Sequence, residues 1–209
     1  MFVAAGGIAV PFGLSFQLAG DRRFGAEGFR YAGNILVPAG DPIFQHDAAL
    51  CGRASALAAA VAADFGLVGV NGIDFIARRG IPFPIEVNPR YSASMELAER
   101  AYGLSIFDLH VRALDRDLPS FDLASLRRLP MAWGKAIVYA RRDLILGDTS
   151  RWLDDDMMRD IPHPGERIGV GHPVCTIFAT GRNVAACHSA LVRRAAQVYR
   201  RAAGRRNAA

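Results

Sequence analysis

Lysine is almost missing from this chain. Lys135 is the only one, so 24 of the 25 basic residues are arginine. With so much alanine alongside, the skew reads as compositional bias rather than selection for a polyanion. The Arg-rich end (Arg193, Arg194, Arg200, Arg201, Arg205, Arg206) is the best candidate for a polyanion patch. On a helix starting near Asn183, however, Val184, Cys187, Leu191, Ala195 and Val198 make one apolar stripe, and Arg193, Arg200 and Arg201 fall opposite it. An amphipathic helix with a solvated basic face is expected, and no nucleic-acid partner.

Cysteine is scarce and unpatterned. Cys51, Cys175 and Cys187 contain no Cys-x-x-Cys pair, which suits a reducing compartment. His172, Cys175, Cys187 and His188 match no common zinc module, and a buried cysteine is ordinarily a small apolar residue. Two catalytic signatures are also missing: the Gly-x-x-x-x-Gly-Lys-Ser/Thr phosphate loop and the Gly-x-Ser-x-Gly nucleophile elbow. His110, in "FDLHVRAL", reads as a helix-surface or core histidine rather than a base.

Long apolar runs are lacking too. The opening "MFVAAGGIAVPFGLSF" has no basic leader, carries Gly6, Gly7 and Pro11, and is short for a membrane span. A buried hairpin turning at Ala5-Gly6-Gly7 fits better. No other segment looks long and apolar enough to cross a bilayer, so a cytoplasmic protein without a membrane partner is expected. What remains is ordinary globular composition: 51% hydrophobic, 22% charged, net charge +5, no repeat and no low-complexity tract.

Along the chain, the first hairpin's second strand is expected to run through "IAVPFGLSFQ", followed by a Gly-rich irregular segment, "FGAEGFRYAGNILVPAGDP". Residues 46–65 read as a helix, with Leu50, Ala54, Leu57 and Val61 at helical spacing and Gly66 as the stop. Two strands follow, then a helix from about Ser92 to Tyr102 closed by Gly103, then another capped by Ser105 with Asp108 three residues on. The stretch "DRDLPSFDLASLRRLP", residues 115–130, reads as a boundary between domains at 1–118 and 131–209. Beyond it "GKAIVYA" is a strand, "DIPHPGERIGVGHPVCTIFATG" two strands around a Gly-rich turn, and Asn183 caps the last helix. The class is α+β: an antiparallel sheet with packed helices, then a small β-rich extension ending in a helix.

The chemistry concentrates in "GIDFIARRGIPFPIEVNPR", residues 72–90. With an odd-length loop Arg79-Gly80-Ile81, Asp74 faces Glu86 across the hairpin, and Asn88 and Arg90 project on the same side. A loop one residue longer or shorter puts the two carboxylates on opposite faces. Facing Cβ atoms lie about 5 Å apart, where two full charges repel by roughly 3 kcal/mol at an effective dielectric near 20. Three remedies exist: screening by water, neutralisation by Arg78, Arg79 or Arg90, or a divalent cation. Asp, Glu and Asn offer only oxygen ligands, which suits Mg²⁺ rather than zinc or copper.

"GIDFIARRGIPFPIEVNPRYSASMELAERAYG" resembles the C-terminal metal-binding signature of the ATP-grasp superfamily, in which an acidic residue precedes a Glu-x-Asn-x-Arg run by twelve positions. "FVAAGGIAVPFGLSFQ" and helix 46–65 are similar to the elements before that site, so the resemblance covers about residues 1–115. The segment "DIPHPGERIGVGHPVCTIFATG" resembles, more weakly, the extension of some carboxylate-amine ligases. The resemblance implies the C-terminal lobe of an ATP-grasp fold. It implies ATP and two Mg²⁺ ions as cofactors, with Glu86 bridging the ions, Asp74 on one and Asn88 on the other. Arg90 would stabilise an acyl-phosphate and the oxyanion formed on attack. Ile76 would pack on adenine, and Gln17 would reach the phosphate or acceptor end.

The implied partners are a small-molecule carboxylate and an amine, as in cofactor biosynthesis. The family's lid lobe, with its phosphate-clamping lysines, precedes the segment where this chain begins. Met1 is therefore expected to be an internal methionine of a longer gene; otherwise the chain completes its site with a partner, a homodimer included. The alternative expectation is a non-catalytic partner or regulatory module that retains a half ATP-grasp site.

Overall fold

The computed structural model describes residues 1–202. It resolves into two compact units, one of Met1–Ser15 with Leu36–Met131 and the other of Phe16–Ile35 with Ala132–Ala209.

β1 (Phe2–Ala5) and β2 (Ile8–Pro11) form the opening hairpin, turning through Gly6 and Gly7 at φ 57° and 78°. β2 ends at Pro11 instead of running on to Gln17. β3 (Ser15–Ala19) and β4 (Tyr31–Leu36) enter a different sheet, so the segment read as irregular holds a strand. α1 (Asp47–Phe65) ends at Gly66, whose left-handed φ of 59° lets its amide reach the Ala62 carbonyl. Then come β5 (Gly69–Arg78), β6 (Ile81–Asn88), α2 (Met95–Tyr102), α3 (Ile106–Leu114) and the short α4 (Leu123–Leu126). α2 starts three residues later than the sequence suggested. The Ser105 hydroxyl accepts the Asp108 amide at 3.1 Å, as its spacing implied.

In the first unit the strands run β2-β1-β5-β6, every pair antiparallel. Strand alternation divides the core. Phe2 and Ala4 point to Ala58 and Ala62 of α1. Val3, Ala5 and Val70 point the other way, to Met95 and Ala98 of α2 and Ile106, Leu109 and Ala113 of α3. The buried stripe of α1 is Leu50, Ala58 and Ala62, with Leu57 and Val61 only half-buried. By length and mean hydropathy (1.3) α1 also qualifies as a membrane span, contrary to the expectation that no such segment exists. His110 of α3 lies where Gly69 leaves room. Its Nδ1 accepts the Val70 amide at 3.3 Å, and a Cβ on Gly69 would come within 2.4 Å of the ring.

Residues 115–130 are packed against this unit rather than serving as an open linker. Leu118, Phe121 and Leu126 cover the α2–α3 side of the core. Arg127 is 1% exposed and donates to the carbonyls of Val37 and Pro38, each at 3.1 Å, and to Asp47 Oδ1 at 2.8 Å, with Cys51 Sγ as a further partner. A buried guanidinium needs acceptors for its fork of donors, and here backbone and carboxylate supply them.

The second unit is built on a five-stranded sheet, order β3-β4-β7-β11-β9, with β7 at Ala132–Tyr139, β9 at Met158–Arg159 and β11 at Pro173–Gly181. Residues 16–35, counted with the first domain in the sequence reading, belong here through β3 and β4. Gly33 permits the close approach of β4 to β7: a Cβ there would come within 2.1 Å of the Lys135 carbonyl oxygen. β11 pairs with β7 and β9, whereas β10 (Arg167–Ile168) pairs with β8 (Leu144–Ile145), so the two expected strands of 160–181 are not each other's partners. α5 (Val184–Ala202) buries Val184, Cys187, Leu191, Ala195 and Val198, the stripe read from the sequence, and Asn183 Oδ1 caps it at the Ala186 amide. Arg193, Arg200 and Arg201 are exposed, while Arg205 and Arg206 lie outside the described residues. Burial pushes the Cys175 and Cys187 thiols up to about 12; Cys187 bonds the Ala179 carbonyl, and His188 pairs with Asp21 at 2.8 Å. Among the described residues no three His, Cys, Asp or Glu side chains are gathered for a metal.

Arg127→Met should lower unfolding free energy by about 3 kcal/mol, because it strands Asp47 and two buried carbonyls. Urea denaturation, read by far-UV circular dichroism, measures it.

Candidate metal site on the β5–β6 hairpin

The turn between β5 and β6 is the two residues Arg79 and Gly80, both at positive φ (51° and 70°), the left-handed geometry that matches strand twist in a two-residue hairpin. Arg78 pairs with Ile81, Ala77 with Pro82, Ile76 with Phe83 and Phe75 with Pro84. Continued unchanged, that register would set Asp74 across from Ile85. A bulge between Phe75 and Asp74 leaves Ile85 without a partner instead, and Asp74 pairs with Glu86, Ile73 with Val87 and Gly72 with Asn88. The expected carboxylate pair is therefore present, through a shorter turn and an extra residue rather than through a longer loop. β6 is an edge strand with Pro82 and Pro84 just before the bulge, where a residue without an N–H is tolerated.

Asp74 and Glu86 are both exposed, and Asn88, two residues beyond Glu86 on the same face, is 9% exposed. Opposite Asn88 the sheet has Gly72. A Cβ there would lie 3.4 Å from Ser92 Oγ and 3.8 Å from Asn88 Cβ, in ordinary contact with both. Arg90 donates through Nη2 to Asn88 Oδ1 at 3.2 Å and through Nη1 to the Tyr91 carbonyl at 3.1 Å. The Asn88 oxygen keeps a second lone pair for another partner.

Partial burial, then the charge of Glu86, raises the Asp74 pKa, and the Met1 ammonium and then Arg90 offset part of the effect. The balance stays upward, so these two cations compensate Asp74 only in part. Arg78 and Arg79, at the turn, line a cleft of about 340 Å³ with Ile43, Phe44 and Leu50. Of the three remedies, water and a cation remain. A donor set of two carboxylates and one amide oxygen fits a hard divalent cation such as Mg²⁺.

Ile76 is 62% exposed beside Asp74, and its cross-strand partner Phe83 is 50% exposed, an apolar step next to the acidic pair. Gln17 is exposed on β3 in the other unit. Sequence reasoning missed the brace behind Arg90. Glu99 of α2 accepts the Tyr91 hydroxyl at 3.2 Å and the Ile106 amide at 3.2 Å. Burial, together with Glu99, raises the Tyr91 pKa and keeps the phenol protonated as the donor. The sequence signal was the tyrosine directly after Arg90, with a helical glutamate eight positions on.

The family model of the ATP-grasp domain matches residues 2–94, a span that holds Asp74, Glu86, Asn88 and Arg90. Residues 2–94 belong to the ATP-grasp superfamily. Solved structures with the same fold include N5-carboxyaminoimidazole synthase of Aspergillus clavatus, determined in complex with ADP, at 17% identity and TM-score 0.63 over 96% of this chain and 50% of that one. L-amino acid ligase of Bacillus licheniformis is 14% identical at TM-score 0.63, over 94% and 49%. The ATPase subunit of phosphoribosylaminoimidazole carboxylase from Aquifex aeolicus is 15% identical at TM-score 0.55, over 96% and 54%. At these identities the likeness establishes the fold. This chain spans about half the length of those proteins. No curated protein matches the sequence.

A carboxyl whose folded pKa is raised stabilises the fold below its ordinary range, near 4, and loses that contribution as pH climbs through the folded value. Without divalent metal, Asp74→Asn should therefore raise stability at pH 7 by a few tenths of a kcal/mol, small because the site is exposed. At pH 3 it should change nothing. Thermal melts of both proteins in EDTA across pH 3–7 test the sign.

Proposed function

We propose that the chain is the metal-binding half of an ATP-dependent carbon–nitrogen ligase. Residues 1–118 are assigned to the C-terminal half of an ATP-grasp domain, although 16–35 pack into the other compact unit, and 131–209 to its small extension. The observation that supports this best is the cross-strand pairing of Asp74 with Glu86, with Asn88 beside them and Arg90 bonded to Asn88. Asp74, Glu86 and Asn88 would hold Mg²⁺ with the nucleotide phosphates. When bound, that ion spreads the charge of the phosphoryl group in transfer.

The reaction class is carboxylate activation. A carboxylate oxygen takes the γ-phosphoryl group and ADP departs; an amine then attacks the acyl carbon and phosphate leaves. Arg90 donates toward that oxyanion. Its guanidinium is held at Asn88 Oδ1 and the Tyr91 carbonyl, with further donors unused, so it meets the developing charge without first being ordered. Glu99 fixes Tyr91 and through it the direction of Arg90. Ile76 and Phe83 offer an apolar surface for adenine. Gln17 is assigned to the phosphate or acceptor end on family resemblance alone. The lid side would come from a further lobe, in the same polypeptide or a partner chain, and the substrates would be a small carboxylate and an amine.

The 209-residue chain alone is expected to bind Mg-ATP more weakly than micromolar and to release no phosphate. Glu86→Gln should weaken Mg²⁺ binding by at least about tenfold while leaving the fold intact. Isothermal titration with Mg²⁺ and then Mg-ATP decides it. Equal Mg²⁺ affinity in the variant would remove the basis of the reading.

A further inference from the structure

A second charged cluster lies in the unit that carries no part of the metal site. Arg22, Arg30 and Arg141 line a cavity of about 370 Å³ together with Gly25, Glu27, Ala140, Val170 and Gly171. That volume is within the range of small-molecule sites.

Arg30 and Arg141, both exposed to solvent, are oriented without a carboxylate. Arg30 donates through Nη1 to the Gly171 carbonyl at 2.5 Å, and its guanidinium lies 5.1 Å above the Tyr139 ring. Arg141 donates through Nη2 to the carbonyls of Arg22 and Arg23, at 3.2 and 2.9 Å, and lies 4.0 Å above the Tyr199 ring. The two rings are tied together, since the Tyr199 hydroxyl donates to the Tyr139 carbonyl at 3.0 Å. Two glycines make the close approach possible. A Cβ on Gly25 would come within 2.6 Å of the Tyr139 carbonyl oxygen, and one on Gly171 within 3.2 Å of Arg30 Nη1.

Carbonyls and aromatic faces orient a guanidinium without cancelling its charge. Each of the two has one nitrogen engaged, leaving its other N–H donors unused. Among the described residues, Glu27 is the only acid on the cavity wall. It approaches Arg22 at 3.7 Å, with both side chains more than three-quarters exposed, a pair that contributes little. The cavity thus holds more positive charge than it balances, with forks shaped for planar oxyanions.

We propose that this cavity binds an anionic oxygen group, a phosphate or carboxylate carried on a small molecule, between Arg30 and Arg141. The site is built from other residues than the hairpin carboxylates and needs neither nucleotide nor metal, so it can fail or stand independently of the ligase reading.

The test uses the full chain in EDTA at low salt, titrated separately with inorganic phosphate, glycerol 3-phosphate and glutarate. Two-dimensional amide NMR should show saturable shifts at Gly25, Ala140 and Gly171. A stronger response to glycerol 3-phosphate than to glutarate identifies a phosphate site, and the reverse a carboxylate site. Arg30→Gln with Arg141→Gln should weaken binding at least tenfold, whereas Arg200→Gln with Arg201→Gln, on the exposed face of α5, should leave it unchanged. If the double variant fails to fold, Arg30→Lys with Arg141→Lys keeps the charge and removes the forks, and severalfold weaker binding is expected. Shifts spread over all surface arginines, the same affinity in the cavity variants, or no saturation by any of the three anions would overturn the proposal.

Discussion

The register of one hairpin carries the rest. Two residues at the turn and one unpaired residue in the edge strand decide which side chains share a face. With the Arg79-Gly80 turn alone, Asp74 and Glu86 would point to opposite sides of the ribbon. Ile85, 67% exposed and outside the ladder, absorbs the difference. Everything chemical in the first unit follows: the raised Asp74 pKa, the placement of Asn88 over Gly72, and the span from there to Arg90.

The carboxylate pair was legible from the sequence because residue type and spacing together allow few arrangements. The route to it was not. An odd loop without a bulge and an even turn with one give the same facing pair, and the sequence does not separate them by hydrophobic pattern. The prolines did carry a hint, since Pro82 and Pro84 donate nothing to a ladder and are at home on an edge next to an irregularity. The helices α1, α3 and α5 were legible for local reasons: a stop glycine, a serine cap, a stripe of buried positions spaced three and four apart.

Most of what escaped depends on contacts remote in sequence. β4 reads as loop because "YAGNIL" contains a glycine, yet that glycine is what lets the strand lie against β7. Residues 115–130 read as a boundary because of their prolines and mixed charge, and the chain does divide just beyond them, at Met131, but the stretch itself is part of the first unit. Nothing local marks Arg127 as buried there, since its acceptors at Val37, Pro38 and Asp47 are about eighty to ninety residues away. Glu99 escaped for another reason: its partners, Tyr91 and Ile106, are only eight and seven residues away, but a tyrosine and a helical glutamate at that spacing match no recurrent motif.

These charged groups sort by whether the fold supplies their counter-charge. Arg127 is buried, and a carboxylate and two carbonyls answer it within the unit. Such a group contributes to structure, and removing a partner destabilises the fold. Asp74 and Glu86 are held together by backbone pairing, with no cation in the unit strong enough to bring the Asp74 pKa back down. Arg30 and Arg141 show the same imbalance in the opposite sign, oriented by rings and carbonyls that leave their charge uncancelled. A fold selected for stability alone gains nothing from like charges fixed in register, because water screens them better when the side chains are free to diverge. Rigid placement without internal compensation is what a site for an external ion of opposite charge requires: a hard cation in the first case and an oxyanion in the second.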